Sequence, residues 1–218
     1  MSFLQQLTAD TAAARGYLLG APAIQRALSG NVTPELYRAF LGQAYHHVRH
    51  TVPLLMAVGS RLPDDKAWLR SEIVHYVEEE HGHEAWILND ITAAGGNAES
   101  AAAAPPHIET DAMVAYAYDV AQRRNPVGFF GMVFVLEGTS IALALDAASR
   151  IQQSLSLPDR AFSYLRSHGK LDQEHVEHLA GILDRLDTDA DRQAVTDCAR
   201  AMFWLYGNVF RSLDRVAS

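Results

Sequence analysis

The sequence predicts an all-α protein with a single domain of about seven helices. Three observations lead there. Apolar residues recur at helical spacing along nearly every segment, and none shows the strict alternation of a half-buried strand. Cap and stop residues punctuate those segments at helix-like intervals. No connecting stretch is long or polar enough to divide domains and no internal repeat is present, so residues 1–218 read as one bundle.

The first helix is expected over residues 2–18. The second follows Thr33, a suitable cap, with Pro34 in its first turn, Glu35 at its positive end and Pro53 as a kink or break. The third runs as one helix from an Asp cap at Asp64–Asp65 to a stop at Gly95–Gly96, and it carries EEEHGHE at residues 78–84. Residues 98–110, AESAAAAPPHIET, read as a connecting loop. A helix over residues 111–124 stops at RNPVG. A long apolar helix then reaches residue 153. LPDRAF opens another, extending to residue 186. DTDAD forms a turn and cap, and the last helix ends near residue 215.

Residues 127–145, VGFFGMVFVLEGTSIALAL, hold one charge, Glu137. Their length approaches the roughly 20 residues of a membrane span. A central carboxylate is costly in lipid, and two glycines, a threonine and a serine dilute the hydrophobicity. The expected structure is a helix buried on all sides in a soluble bundle.

The net charge of −8 argues against nucleic acid and against an anionic membrane surface as partner. The single cysteine, Cys198, excludes an internal disulfide and a cysteine-based zinc or iron–sulfur site, and it points to a reducing, cytoplasmic compartment. The first residues, MSFLQQLTADTAAARG, lack the basic and apolar regions of a signal peptide.

Three short stretches carry the chemistry. In EEEHGHE, the apolar arc defined by Leu69, Ile73, Tyr76, Val77, Ile87 and Ile91 passes through Glu80, with His83 one turn on. Glu78 and His81 point to water. Glu79, at the margin of the arc and also in reach of His83, competes for the role of Glu80. In FVLEGTS, Glu137 on an all-buried helix needs a proton, a cation or a metal, and Gly138 allows a close backbone approach. In HGKLDQEH, His168, Asp172 and His175 stand at i, i+4 and i+7, on the face of Leu179, Ile182 and Leu186. Together these are three carboxylates and three imidazoles without a thiolate. The set suits two first-row metal ions, iron first and manganese next, and exceeds what one zinc requires. It differs from the paired Glu-x-x-His motifs of ferritin-like sites.

EEEHGHE, FVLEGTS and HGKLDQEH, in that order on successive helices, resemble the heme-oxygenase-like diiron oxidases and oxygenases, the iron-containing redox enzymes related to TenA and PqqC. The resemblance runs from about Thr33 to Leu213. It implies a heme-oxygenase-like or TenA-like bundle in a homodimer. Glu80, His83 and His168 would bind one iron, Asp172 and His175 the other, and Glu137 would bridge. It further implies O2 as co-substrate, a peroxo-diiron(III) species, partial occupancy of the second iron, and oxidation of a small amino acid, amine or fatty acid in biosynthesis. No cysteine occupies the place of the TenA nucleophile. His47, on an apolar face with Phe40, Thr51 and Leu54, is open to three readings: heme ligand, substrate contact or core histidine. His46 and His50 are expected off that face. Tyr45, His47, Tyr76 and Phe134 are candidate pocket residues, with Phe129, Phe130, Phe134 and Trp86 as an apolar wall. Two rival functions stand beside the diiron reading: a metal-independent TenA- or PqqC-like enzyme acting on a small heterocycle, and a non-catalytic metal-binding helical protein.

Overall fold

The computed structural model describes residues 2–215, apart from the side chains of residues 168–176. The described residues contain α-helices and short 3₁₀ turns and no strand. In chain order the helices are α1 (Phe3–Asp10), α2 (Ala12–Leu19), α3 (Pro22–Ser29), α4 (Pro34–Val48), α5 (Thr51–Arg61), α6 (Ala67–Glu80), α7 (His83–Ala93), α8 (Ala98–Ala103), α9 (Ile108–Arg123), α10 (Phe130–Leu155), α11 (Ser163–Asp184) and α12 (Asp189–Ser212).

Every segment expected to be helical is helical, but several are split. Residues 2–18 divide at Thr11, and α3 is an additional helix. The second segment opens as expected, with Thr33 Oγ1 accepting from Leu36 N at 3.2 Å. It breaks at Arg49–His50. Pro53 accounts for this, because it has no N–H for the Arg49 carbonyl and its ring crowds that carbonyl. Residues 98–110, expected as a loop, contain α8 and the start of α9, with Asn97 Oδ1 capping α8 at Ser100 N, 2.8 Å. Asp64 and Asp65 form a 3₁₀ turn, and no side chain caps α6.

The third segment shows the largest departure. It is two helices, broken at His81–Gly82, where Gly82 has φ 90° and ψ 0°. A Cβ is disfavoured at such a positive φ. The apolar stripe that reads as one in sequence therefore serves two clusters. Leu69, Ile73 and Tyr76 of α6 pack with α1, α5, α9, α10 and α12. Ile87 and Ile91 of α7 pack with α4, the second half of α10 and the start of α11.

Helix α10 is central, lying against α3, α11 and α12. Its segment is long and apolar enough to cross a membrane, yet 61% of its most apolar window is buried inside the bundle, so packing accounts for its composition. Gly131 makes the α10–α12 approach possible. A Cβ there would lie 2.3 Å from Val195 O and 2.7 Å from Ala199 N. Cys198, buried in α12, has its thiol pushed up to about 12 by desolvation.

An ionic knot, buried at Lys66 and Asp191 and exposed at Asp187, ties the start of α6 to the start of α12. Lys66 Nζ reaches Asp187 Oδ1 at 2.8 Å and Asp191 Oδ2 at 2.9 Å. Asn125 Nδ2 and Thr188 Oγ1 donate to the two Asp191 oxygens, each at 2.7 Å. Burial alone would raise the Asp191 carboxyl, but hydrogen bonds from Asn125, Lys66 and Thr188 outweigh it and hold it below the ordinary value. A lowered folded-state value stabilises above the unfolded carboxyl range and is lost as pH falls through the folded value. Urea unfolding midpoints should therefore drop as pH falls below about 4, the ordinary Asp range. Asp191→Asn should flatten that acid limb.

Candidate functional site

The junction between the two clusters holds a cavity of about 160 Å³. It is lined from both sides, by Leu55, Phe129 and Met132 of one cluster and by Leu36, Tyr37 and Tyr164 of the other. Glu80, the last residue of α6, and Glu137, in the first third of α10, belong to its lining.

The Gly82 break places Glu80 against His83. Glu80 Oε2 lies 3.1 Å from His83 Nδ1, with both side chains nearly buried. The His83 ring stacks on Trp86 with centroids 4.0 Å apart. Glu79 Oε1 lies 3.2 Å from Nε2 of the half-exposed His75, and Glu79 is not among the cavity-lining residues. Thus Glu80 rather than its competitor lines the cavity. Glu78 and His81 are exposed, as expected.

Glu137 is 8% exposed and shares the cavity wall with Tyr76. Burial pushes the Tyr76 phenol far above its ordinary value, and the nearby carboxylates of Glu137, Glu79, Glu80 and Glu72 push it further. Glu72 itself pairs with His178 and Arg185, each at 3.2 Å.

Of the remaining expected ligands, the side chains of His168, Asp172 and His175 lie outside the described residues. Their helix, α11, packs along α10 and α7. Its start is clamped by Asp90 of α7, which is fully buried. The Asp90 carboxylate accepts from Ser163 N at 3.0 Å, Tyr164 N at 2.9 Å and the Ser163 hydroxyl. A helix start leaves N–H groups unpaired and carries partial positive charge, which suits a carboxylate. Desolvation still raises the Asp90 carboxyl, and the bonds from Ser163 and Tyr164 offset only part of it. Sequence reading missed Asp90, because its partners lie 73 and 74 residues away.

The expected pocket residues divide. His47, 4% exposed, and Tyr76 line the cavity. Tyr45 does not; it packs edge-on to His46 and under Arg49. Phe134 lines a separate recess with Gly138 and Leu179, Phe130 is core, and of the aromatic wall only Phe129 faces the cavity. His46, expected off the buried face, is buried, because α4 packs on α7, α8 and α9 and has little solvent side. No described residue closely approaches the Cβ position of Gly138, contrary to expectation. Tyr206 and Phe210, contributed by α12, are cavity residues without a local sequence signal.

Among the described residues, no group of three or more His, Cys, Asp and Glu side chains converges closely enough to hold a metal ion. The described donors of the expected set are two cavity-lining carboxylates, Glu80 and Glu137, and the imidazole of His83 behind Glu80, with the buried thiol of Cys198 outside the lining. Such oxygen and nitrogen donors fit iron in chemical type.

The helical architecture and the acidic cavity define a heme-oxygenase-like bundle. The family model of iron-containing redox enzymes matches residues 38–207, and the chain belongs to that family. No curated protein matches the chain. A domain of unknown function with a heme oxygenase-like fold from Shewanella denitrificans is similar, with 25% identity, 97% of this chain and 92% of that chain covered, and a TM-score of 0.87. A TenA homolog from Pseudomonas syringae pv. tomato shares 14% identity over 95% of this chain and 92% of that chain, with a TM-score of 0.75. Heme oxygenase-1 from Synechocystis, in complex with heme, shares 14% over 100% of this chain and 95% of that chain, with a TM-score of 0.77. These last two likenesses concern the fold alone.

Two predictions follow from the geometry. Asp90→Ala orphans two N–H groups at the start of α11 and should cost about 3 kcal/mol, read from urea midpoints, with Asp90→Asn restoring part. Gly82→Ala has space for its Cβ, so its cost is backbone strain alone, about 1–2 kcal/mol. Gly82→Asn should lose less, since Asn tolerates positive φ better.

Proposed function

We propose that this chain is a non-heme diiron oxidase or oxygenase that uses O2 to oxidise a small, largely apolar substrate. The observation that carries the reading is a buried carboxylate, Glu137, in an apolar cavity beside the Glu80–His83 pair, within a chain of the iron-containing redox family. In this reading Glu80, His83, Glu137, His168, Asp172 and His175 would hold two irons. Bound Fe(II) supplies electrons for O2 and an oxidising centre. The chain's own residues fix the donors and exclude water.

Those roles follow from placement. The Glu80–His83 contact and the stack on Trp86 restrict the imidazole, so it is already oriented before a metal arrives. Leu36, Leu55, Phe129, Met132 and Leu143 give the cavity apolar walls, which favour an aliphatic or aromatic body over a free amino acid. His47, the side chain that a heme reading requires, lines the same cavity. The homodimer, a cytoplasmic location and a role in biosynthesis belong to the same proposal.

Anaerobic Fe(II) titration should reach two irons per chain, with rapid O2 consumption on mixing. Glu137→Ala and His175→Ala should each lower the stoichiometry or the affinity by at least tenfold, in the range seen for lost metal-site residues. Absence of saturable iron binding in the unaltered protein sinks the diiron reading. A hemin titration in parallel, giving a Soret band lost in His47→Ala, would establish the heme reading instead.

A further inference from the structure

Most polar groups on the cavity wall have an evident partner. Tyr37 Oη donates to Ala161 O at 2.7 Å, Thr139 Oγ1 donates to Val135 O at 2.6 Å, and Glu80 meets His83. Thr51, Ser140 and Tyr206 are exceptions, and Tyr206 is the one whose hydroxyl sits on a rigid aromatic ring. It is 8% exposed, it lines the cavity, and its hydroxyl makes no hydrogen bond to a described residue. Its ring is held on two sides, by Phe210 at 4.9 Å and edge-on by His47 at 5.7 Å. Burial alone drives its phenol well above the ordinary value, with no charged group contributing.

A phenylalanine would fill the same space without burying a hydroxyl. Buried tyrosine hydroxyls ordinarily find a partner, and one without a protein partner asks for another explanation. The cavity supplies one. We infer that Tyr206 is a substrate-binding residue, whose O–H donates a hydrogen bond to an uncharged acceptor oxygen on an otherwise apolar ligand. The acceptor is a carbonyl, ether or hydroxyl oxygen rather than a carboxylate. No Lys or Arg is among the described lining residues, and Glu80 and Glu137 already make the cavity acidic. This inference deepens the proposed function, since it rests on the same cavity receiving the substrate.

The test uses two probes of nearly equal shape, acetophenone and ethylbenzene, which differ in one carbonyl oxygen. Their affinities are measured by ligand-observed NMR on the full chain in excess chelator, so that iron plays no part. Tyr206→Phe should weaken acetophenone about fivefold relative to ethylbenzene, the loss of one net hydrogen bond. Ethylbenzene affinity should stay as it was, and the variant should melt at or above the temperature of the unaltered protein, because the hydroxyl removed has no partner among the described residues. An unchanged affinity ratio, no binding of either probe by the unaltered protein, or a clearly lowered melting temperature would each overturn the assignment. The iron titration separates the two ideas. A ratio shift without iron uptake leaves Tyr206 standing and removes the diiron reading. Iron uptake with an unchanged ratio removes only Tyr206.

Discussion

The site depends on a backbone constraint at Gly82. Its positive φ ends α6 and lets α7 start in a new direction. Without that turn, the apolar stripe of residues 69–91 would pack against one surface. With it, α6 serves one cluster and α7 the other, and the seam between them is where the cavity opens. Glu80 and His83 flank the turn, so the break sets the cavity-lining Glu80 against the buried His83. A local conformational preference of one glycine is thus converted into the placement of two candidate ligands.

Long-range contacts then hold the seam in shape. Asp90 ties α7 to the start of α11, the helix that carries HGKLDQEH. Lys66 and Asp191 tie the other end of α6 to α12, which contributes Tyr206. Gly131 lets α10 and α12 approach until backbone meets backbone. Each tie fixes a helix that contributes to the cavity wall or carries part of the expected donor set. Burying carboxylates at Asp90 and Glu137 works against folding unless they gain partners, and such placements point to positioning and chemistry rather than to stability.

The chain belongs to the iron-containing redox enzymes, and its cavity has two carboxyl residues, Glu80 and Glu137, in an otherwise largely apolar wall. The substrate is left to the walls, which are apolar, contain His47 and Tyr206, and among the described residues carry no cation. In the proposed reading, that combination selects ligands by shape and by a neutral hydrogen bond more than by charge.

The sequence by itself determined what depends on neighbours in the chain. Helical period, the Thr33 cap and the exposure of Glu78 and His81 against the burial of Glu137 were legible from composition and spacing. So was Glu80 beside His83, although for an incomplete reason, since three residues apart meet across this turn as they would on an unbroken helix. Tertiary structure alone decided where the helices break into separate packing surfaces, that His46 is buried while Tyr45 leaves the cavity, that Asp90 holds the start of α11 and that Tyr206 lines the cavity. The physical reason is common to these cases. Periodicity reports which face of a helix avoids water, but not which of several apolar surfaces it meets. An Asp whose partners lie over 70 residues away, or a tyrosine hydroxyl that meets none among the described residues, leaves no trace in local pattern.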